Sequence, residues 1–483
     1  MEKQVRTRFA PSPTGFMHIG NLRTALYAYL FARNNNGKFI LRIEDTDRER
    51  YVDGAVDLIY STLHKAGMDY DEGPNRDGGY GPYVQSERKS LYMEYAKKLV
   101  ELGGAYYCFC SKERLETLLD DNGNRRYDKH CLSLTQEEVQ AKLDAGEPFV
   151  IRQNVPSEGV SEYDDLVYGH ISVPCADLED NILIKSDGMP TYNFANVVDD
   201  HLMNITHVIR GTEYLSSTPK YNLVYDSFGW ERPEYMHLPP IMKDKERKLS
   251  KRYGDANFED FLQKGFLPEA IVNYIALLGW SPKDNDEKFT ITELEQRFNV
   301  NGINKSSSIF DETKMRWLNG EYVKELSPEK FLGLATPYFE KSKIANLYDY
   351  SKVAPLVQTR IEIFGDIPAL VDFLEEYGEF DSALYEHKKM KTDVEFARNS
   401  LPIIKSTLEN LPEWNNESVH NELVKLSENW EGGAIKVGKL MWCLRIAITG
   451  QAVTPGGATD MTTILGRERT IDRLGKAIEF LNK

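Results

Sequence analysis

The chain has 483 residues, of which 41% are hydrophobic and 11% aromatic, and its formal net charge is -16. This length exceeds one ordinary domain, and the composition excludes a disordered protein. The acidic balance argues against nucleic-acid binding by the whole surface but leaves room for a local basic face. Five scattered cysteines, together with the lack of an apolar leader or of a run of about 18 apolar residues, predict a reduced, cytoplasmic protein without a membrane span.

The first predicted unit is a strand, a helix and a second strand. Residues 5–11, VRTRFAP, alternate apolar and polar side chains and predict a short strand. From His18 onward, apolar residues recur at spacings of three and four, which predicts a helix that ends at NNNG with Gly37 as its C′ residue. The segment KFILRIEDT predicts the next strand. A strand–helix–strand unit implies a parallel sheet.

The loop between this first strand and the helix, RFAPSPTGFMHIG, is a candidate site. Open α/β sheets bind ligands at such positions, and helix N-termini attract anions. The loop matches neither common nucleotide-binding pattern. His18 can donate to a phosphate oxygen, and Gly20 lets a flat base approach the backbone. The alternative is a histidine that only caps a core helix.

Three later segments also carry chemistry. The two cysteines of CFC, Cys108–Cys110, share one face of a strand and could share a zinc ion with Cys131. In VVDDHL, residues 197–202, we interpret the aspartates as a helix N-cap rather than as metal ligands.

The third segment, KDKERKLSKR at Lys243–Arg252, places six basic residues in ten directly after Pro239 and Pro240. A lysine-rich loop of this kind can close over a polyphosphate and supply charge as a leaving group departs. The alternative is a solvated basic loop. From about Pro328 the apolar spacing becomes helical, and no repeat of fixed period occurs.

These residues carry a family resemblance. PSPTGFMHIGN resembles the HIGH motif of class I aminoacyl-tRNA synthetases, with Asn21 in place of the last histidine, and KLSKR at Lys248–Arg252 resembles their KMSKS loop. TRFAPSPTG, LRIEDTD, PTYNFANVVDDHLMNITHVIRG, FDETKMRWLN and LRIAITGQ are similar to the glutamyl-tRNA synthetase branch. One motif alone would be weak evidence, whereas this ordered set through nearly the whole chain is specific.

The resemblance implies an α/β Rossmann-type catalytic domain with an acceptor-end-binding insertion, followed by an all-α anticodon-binding region. The implied parts are the catalytic domain at 1–88 and 190–241, the insertion at 89–189, a KMSKS-loop and stem-contact domain at 242–327, and the helical anticodon-binding domain at 328–483. The implied enzyme is a cytoplasmic monomer whose partners are tRNA(Glu), L-glutamate and ATP with Mg²⁺.

The implied reaction has two steps and needs no protein nucleophile. Glutamate attacks the α-phosphate of ATP to give glutamyl-adenylate and pyrophosphate, and a ribose hydroxyl at the 3′ end of tRNA then takes the glutamyl group. Positioning and charge stabilisation would supply the catalysis. The resemblance assigns catalysis to His18, Lys248 and Lys251, and ATP binding to His18, Gly20, Asn21, Glu213, Lys248, Ser250 and Lys251.

The resemblance also assigns a glutamate pocket, formed by Arg8, Ala10, Ser12, Glu44, Tyr192, Asn196 and Arg210. Glu44 would face the α-ammonium, and Arg210 would chiefly hold the side-chain carboxylate. The alternatives are a surface role for Glu44 and an ion pair of Arg210 with Asp199 or Asp200. Arg360 is assigned to anticodon bases.

The zinc interpretation is weakened by a departure from the family pattern. Relatives that bind zinc in this insertion use C-x-C and a later C-x-H, but here Leu132 follows Cys131 and Ser133 stands in the place of the histidine. Three thiolates without a fourth ligand predict buried free thiols and no metal, with structural zinc as the alternative.

Three rival functions are weighed against the glutamyl enzyme. Glutaminyl-tRNA synthetases are closer to PPEPNGYLHIGH and end in β-barrels, whereas this chain has APSPTG and a helical tail. A non-catalytic tRNA-binding relative would be expected to lose its phosphate or glutamate ligands, which are all present here. A small nucleotidylyltransferase with an H-x-G-H loop disagrees with the length. The sequence leaves open whether glutamine tRNA is also charged.

Overall fold

The structure, a computed structural model, describes residues 3–47, 51–118, 126–249, 257–378 and 381–483. The chain forms two compact units, one made of residues 1–263 and 268–312 and the other of residues 264–267 and 313–483. The four-part division expected from the sequence stays a prediction.

The strands are β1 Arg6–Phe9, β2 Lys38–Leu41, β3 Ala105–Cys108, β4 Val150–Gln153, β5 Val160–Asp165, β6 Gly169–Pro174, β7 Ile182–Ile184, β8 His207–Gly211, β9 Glu234–Leu238, β10 Ile241–Met242 and β11 Ser308–Ile309. The helices up to residue 297 are α1 Ile19–Asn34, α2 Ala55–Lys65, α3 Lys89–Glu101, α4 Lys112–Glu116, α5 Gln136–Asp144, α6 Tyr192–Leu202, α7 Thr218–Phe228, α8 Phe258–Lys264, α9 Pro268–Leu277 and α10 Ile291–Arg297. The later helices are α11 Glu312–Lys324, α12 Pro328–Phe339, α13 Tyr350–Gln358, α14 Ile367–Val371, α15 Val394–Glu409, α16 Asn416–Glu428, α17 Val437–Thr449 and α18 Ala458–Leu481.

The predicted strand–helix–strand unit is present at the start of the chain. β1 and β2 pair in parallel, with Arg8 opposite Ile40. Between them, α1 buries Leu22, Leu26 and Leu30, but every residue from Ala25 to Ala32 is buried as well, so the second half of the helix is enclosed on all sides. The sequence pattern therefore gave the correct element types, because each element shows its own apolar period.

The end of α1 differs from the prediction by one residue. Asn36, not Gly37, takes the left-handed conformation, with φ of 52°. Asparagine tolerates this region better than most residues. Gly37 follows it and donates its N–H to Ala32 O at 2.7 Å. A side chain at Gly37 would collide with the backbone carbonyl of Val5, so the glycine is needed for close approach rather than for its φ.

The strands that carry the candidate site end at one edge. β8 and β9 are parallel neighbours in a four-stranded sheet of order β6-β5-β9-β8. Just before β8, Thr206 donates its N–H to Arg6 O of β1 at 2.9 Å. The carboxyl ends of parallel strands are where α/β sheets bind ligands. The ends of β1, β8 and β9 therefore provide the floor of a site.

The predicted insertion contains a separate small sheet. β3, β4 and β7 pair in antiparallel fashion in the order β3-β4-β7. Its buried Ile151 and Ile184 share a core with Leu99 of α3 and Phe194 of α6. The chain returns from this sheet directly into α6, which begins at Tyr192.

The regular secondary structure that the structure describes in the second unit is helical, as predicted, apart from an isolated β-bridge between His387 and Thr392. Its core includes the fully buried Leu440 and Leu444 of α17 and Leu474 of α18. The last helix bends at Gly466, where φ is 78°. Among the described residues, no helix combines the length and the apolar character that crossing a bilayer requires.

Candidate functional site

A cavity of about 1200 Å³ opens at the strand ends of the first unit. The predicted site residues that line it are Arg8, Ala10, Ser12, His18, Gly20, Asn21, Glu44, Tyr192, Arg210, Glu213 and Lys248. Ser250 and Lys251, also predicted, lie outside the described residues. The structure therefore brings together residues that are more than 200 positions apart in the sequence.

His18 both caps α1 and lines the cavity. Its Nδ1 accepts a hydrogen bond from the backbone N–H of Gly20 at 3.0 Å. Because Nδ1 is the acceptor, the neutral ring carries its proton on Nε2. The capping alternative and the ligand-binding interpretation are therefore compatible in one side chain, since each uses a different ring nitrogen.

Arg8 is held by a buried carboxylate. Its Nε lies 3.1 Å from Asp200 Oδ1, and its Nη2 lies 3.2 Å from Oδ2. Arg42, buried beside it, donates to Asp200 Oδ1 at 2.7 Å and to Glu44 Oε1 at 2.9 Å. The positive charge of Arg8 is thus already balanced before any ligand binds.

Two pKa shifts follow from this network. Burial alone would raise the pKa of Asp200, but the charges of Arg8 and Arg42 outweigh burial and lower it. For Glu44, burial is the larger effect and raises the pKa despite Arg42 and Arg8. An additional cation beside Glu44 would favour its ionised form.

The network continues beneath the cavity and corrects two interpretations. Arg88 Nε lies 2.7 Å from Asp199 Oδ1, and Tyr92 donates to Asp199 Oδ2 at 2.8 Å. Asp199 and Asp200 are therefore ion-pair partners in the last turns of α6, not a helix N-cap. The alternative in which Arg210 pairs with one of them is also wrong. Tertiary contacts with distant arginines, which no local pattern shows, decide their role.

Arg210, at the end of β8, has a different environment. It is 6% exposed, and among the described residues it has no carboxylate within ion-pair distance. Its Nε donates to His237 Nε2 at 3.2 Å, and its Nη2 donates to Thr218 Oγ1 at 2.7 Å. Burial by itself would lower its pKa, but interactions with the surrounding tyrosines, Tyr192 first, keep the pKa above its usual value. The cavity wall therefore contains a buried cation surrounded by neutral groups.

Asn196 lies one turn beyond Tyr192 in α6 and is not part of the cavity lining. Its side chain is 2% exposed, and neither its Nδ2 nor its Oδ1 has a hydrogen-bond partner among the described residues. Buried amides are nearly always hydrogen-bonded. An unsatisfied amide at this depth is the kind of group that a ligand or an ordered water satisfies.

The far side of the cavity is more exposed. Glu213 follows β8 in a short 3₁₀ turn, and its carboxylate packs against Gly211, where any side chain would collide with it. Lys248 forms an isolated antiparallel bridge with Met242 of β10. The segment after Pro240 is therefore a hairpin that brings a lysine to the rim.

The three cysteines of the insertion lie together. Cys108, Cys110 and Cys131 have sulphur atoms within 4.8 Å of one another, and the Cys110 and Cys131 sulphurs are 3.5 Å apart. Zinc bound to thiolates at 2.3 Å would hold the sulphurs about 3.8 Å apart. The hydroxyl of Tyr127 lies 3.3 Å from the Cys108 sulphur, a fourth group that sequence reasoning missed. The expectation of no metal stays a prediction.

Arg360 lies in the second unit, at a cavity of about 520 Å³. Arg445, Thr454 and Asp460 line the same cavity. Burial, followed by the nearby charge of Arg360, lowers the pKa of Arg445. The carboxylate of Asp460 is engaged by the side chain of Asn416 and by the N–H of Gly457. This cavity therefore presents a net positive face.

Sequence reasoning also missed Arg42, Arg23 and His237. Arg42 and Glu44 are two residues apart on an extended segment, so their shared face was available as a signal. Arg23 lines the cavity and donates to the carbonyl of Leu278 at 2.8 Å. Nothing in the sequence singles out His237, because its contacts come from β5 and β8.

Two family models match the chain. The model described as "tRNA synthetases class I (E and Q), catalytic domain" matches residues 4–317, and the model described as "Anticodon binding domain" matches residues 330–478. The chain belongs to the class I tRNA synthetases of the E and Q group.

Within this family, the chain is similar to glutamate–tRNA ligases. Those of Clostridium botulinum (strain Eklund 17B / Type B) and Clostridium novyi (strain NT) are both 54% identical to it, and the alignments cover 99% and 100% of this chain and 99% of each relative. The crystal structure of a glutamate tRNA ligase from Elizabethkingia meningosepticum CCUG26117 in complex with its amino acid superposes with a TM-score of 0.89 at 35% identity, covering 99% of this chain and 100% of that one. The predicted family and fold class are confirmed.

Proposed function

We propose that the protein activates L-glutamate with ATP and transfers the glutamyl group to the 3′ end of tRNA(Glu). One observation carries the choice of amino acid. Arg210 is a buried cation on the cavity wall, and among the described residues its side-chain hydrogen bonds go to two neutral groups, His237 and Thr218. A buried charge needs a partner. A substrate with a side-chain carboxylate supplies that partner, and glutamine does not.

The glutamate would lie between Arg210 and Glu44. Arg210 would take the side-chain carboxylate with its planar fork, and Tyr192 would contact it from α6. Arg8 is the weaker candidate for this role, because Asp200 already neutralises it. Glu44 would take the α-ammonium, and the unsatisfied amide of Asn196 would gain a partner from the bound amino acid or an ordered water.

The ATP would lie across the N-terminus of α1. The Nε2–H of His18 would donate to a phosphate oxygen while Nδ1 holds the helix start. Gly20 and Asn21 would lie along the nucleotide, and Glu213 near it. Lys248, with Lys251 beyond the described residues, would offset the charge that develops as pyrophosphate leaves. Mg²⁺ would arrive with the ATP as part of the substrate.

Catalysis in this arrangement comes from placement. The glutamate carboxylate would be held near the α-phosphate, and the protein would stabilise charge on the phosphate oxygens. No side chain needs to form a covalent intermediate. In the second unit, the arginine-lined cavity at Arg360 and Arg445 would receive anticodon bases, whose acceptor edges suit guanidinium groups.

Aminoacylation of purified tRNAs with labelled amino acids tests the proposal. We expect glutamate to be attached to tRNA(Glu), with one AMP and one pyrophosphate released per glutamate attached. Glutamine in place of glutamate is the control for the amino acid, and tRNA(Gln) is the control for the tRNA. Attachment of glutamine to tRNA(Gln), with glutamate inert, would replace this proposal by the glutaminyl alternative.

A further inference from the structure

Two buried polar residues, His237 and Asp165, support Arg210 from behind in a short hydrogen-bonded series. Arg210 Nε donates to His237 Nε2 at 3.2 Å, and His237 Nδ1 lies 2.7 Å from Asp165 Oδ2. His237 is 0% exposed and Asp165 is 3% exposed. Asp165 ends β5, whose parallel pairing with Tyr235 of β9 brings it beside His237. This series of hydrogen-bonded side chains therefore runs from the insertion side of the sheet to the cavity.

The contacts define the tautomer of His237. The Nε–H of Arg210 can only donate, so Nε2 of His237 must accept and the ring proton must be on Nδ1. That proton goes to Asp165 Oδ2. The neighbouring Thr218 does not compete, because its hydroxyl donates to Tyr214 O at 2.7 Å.

The carboxylate of Asp165 is itself fixed by backbone groups. Its Oδ1 accepts from the N–H groups of Val167 and Tyr168 at 2.9 and 2.8 Å. Its Oδ2 also accepts from the N–H of His237 at 3.1 Å. Four donors therefore point at Asp165, and the carboxylate cannot rotate without losing several of them.

We infer that Asp165 and His237 are positioning residues that hold the guanidinium of Arg210 in place without neutralising it. This inference rests on the proposed function of Arg210 as the partner of the glutamate side chain. A carboxylate bonded directly to Arg210 would orient it but would also cancel its charge, and the site would then favour an uncharged side chain. A neutral imidazole supplies the acceptor, and Asp165 fixes the tautomer from one residue further away.

The pKa of His237 agrees with this arrangement. Burial lowers the pKa below its usual value, although the carboxylate of Asp165 acts in the opposite direction. The ring is therefore kept neutral at physiological pH. The imidazole thus presents a lone pair, rather than a second cation, to Arg210.

The isosteric variant Asp165→Asn tests the inference. Its side-chain oxygen would keep accepting from the N–H groups of Val167 and Tyr168. Its NH₂ would then take the place of Oδ2, where it donates to Nδ1 of His237 and loses the bond from the backbone N–H of His237. The ring proton would then move to Nε2 and oppose the N–H of Arg210, as a wrong tautomer does in a catalytic triad. We expect kcat/KM for glutamate to fall on the order of tenfold or more, mainly through KM, while KM for ATP changes within about twofold.

Two further variants separate positioning from a structural effect. Asp164→Asn is the matched control, because the preceding residue of β5 has an 86% exposed side chain and makes no contact with His237. His237→Gln offers an amide oxygen to Arg210 but has no tautomer to reverse. In that background Asp165→Asn still loses the bond from the backbone N–H of residue 237 but reverses no tautomer, so we expect it to lower glutamate use by a much smaller factor than in the wild-type background. An equal loss in both backgrounds would overturn the inference.

A measurement on the wild-type protein does not depend on the variants folding. Long-range ¹H–¹⁵N correlation spectra of histidine-labelled enzyme distinguish the two neutral tautomers. We expect His237, assigned by its absence in His237→Gln, to carry its proton on Nδ1, and a proton on Nε2 would overturn the inference. Wild-type enzyme that attached no glutamate to any tRNA would instead remove the proposed function. The tautomer of His237 is measured independently of that result, so the two failures can be told apart.

Discussion

Replacing Arg210 by glutamine tests how the cavity distinguishes glutamate from glutamine. The two substrates have nearly the same shape and differ in one charge and in the NH₂ donors. A site can separate them only through groups that respond to this difference. Arg210→Gln removes the buried cation and keeps a side chain of similar length that still offers hydrogen-bonding groups to Thr218 and His237.

The size of the effect follows from the environment of Arg210. The residue is 6% exposed, so a carboxylate bound to it is largely removed from water. Truncating one member of a desolvated charge pair costs about 2–5 kcal/mol. This corresponds to a fall of roughly 30- to 5000-fold in kcat/KM for glutamate. Use of glutamine should fall much less, or rise, because an amide loses no ion pair.

The assay is kcat/KM for both amino acids with the same tRNA. Arg232→Gln is the matched control, since it makes the same substitution at a partly exposed arginine that pairs with Asp226 away from the cavity. If both amino acids lost the same factor in Arg210→Gln, Arg210 would be a structural or α-carboxylate residue. The discrimination would then have to be assigned to Arg8.

Three other predictions concern the lysine loop, the cysteines and the helix cap. Lys251→Ala should raise the activation free energy of pyrophosphate exchange by about 2–4 kcal/mol, which lowers kcat, with little change in KM for glutamate. An unchanged kcat would remove Lys251 from the mechanism. Protein prepared without chelator should contain well under one zinc per chain by elemental analysis, whereas stoichiometric zinc that is lost in Cys108→Ser would show that Ser133, His130, water or the nearby Tyr127 completes the site. His18→Asn keeps a good N-cap but removes the Nε2–H, so Tm should hold within a few degrees while kcat falls on the order of a hundredfold; an unchanged kcat would leave His18 only its capping role.

The sequence predicted the parts of the fold that depend on local pattern. The strand–helix–strand unit and the helical second unit followed from apolar periodicity, although β1 and the second half of α1 are buried on all faces, which the periodicity did not show. The sequence predicted the left-handed residue after α1 at Gly37, one position later than Asn36, where the structure has it. Asparagine and glycine both tolerate the left-handed region, so the sequence did not distinguish them. The choice between them depended on the backbone of Val5, which lies close to Gly37.

The site was predictable in membership but not in its electrostatic connections. Motif resemblance assigned Arg8 and Arg210 to one pocket and gave the side-chain carboxylate chiefly to Arg210, and both line the cavity. Only the fold shows that Asp200 neutralises one of them while His237 supports the other without charge. Such pairings join residues on different strands and helices, so no spacing rule along the chain can reveal them.

The buried arginine–carboxylate network has a consequence for how the protein is made. Arg8 and Arg42 precede their partner Asp200 by 192 and 158 residues, and Arg88 precedes Asp199 by 111. During synthesis these three arginines leave the ribosome long before α6 exists, and they cannot be buried until it does. The amino-terminal half of the first unit must therefore remain open, with its arginines solvated, until about residue 200 has emerged. The ribosome-bound chain thus presents an incompletely folded segment with solvated arginines for much of its synthesis, and its final closure is a late, long-range event.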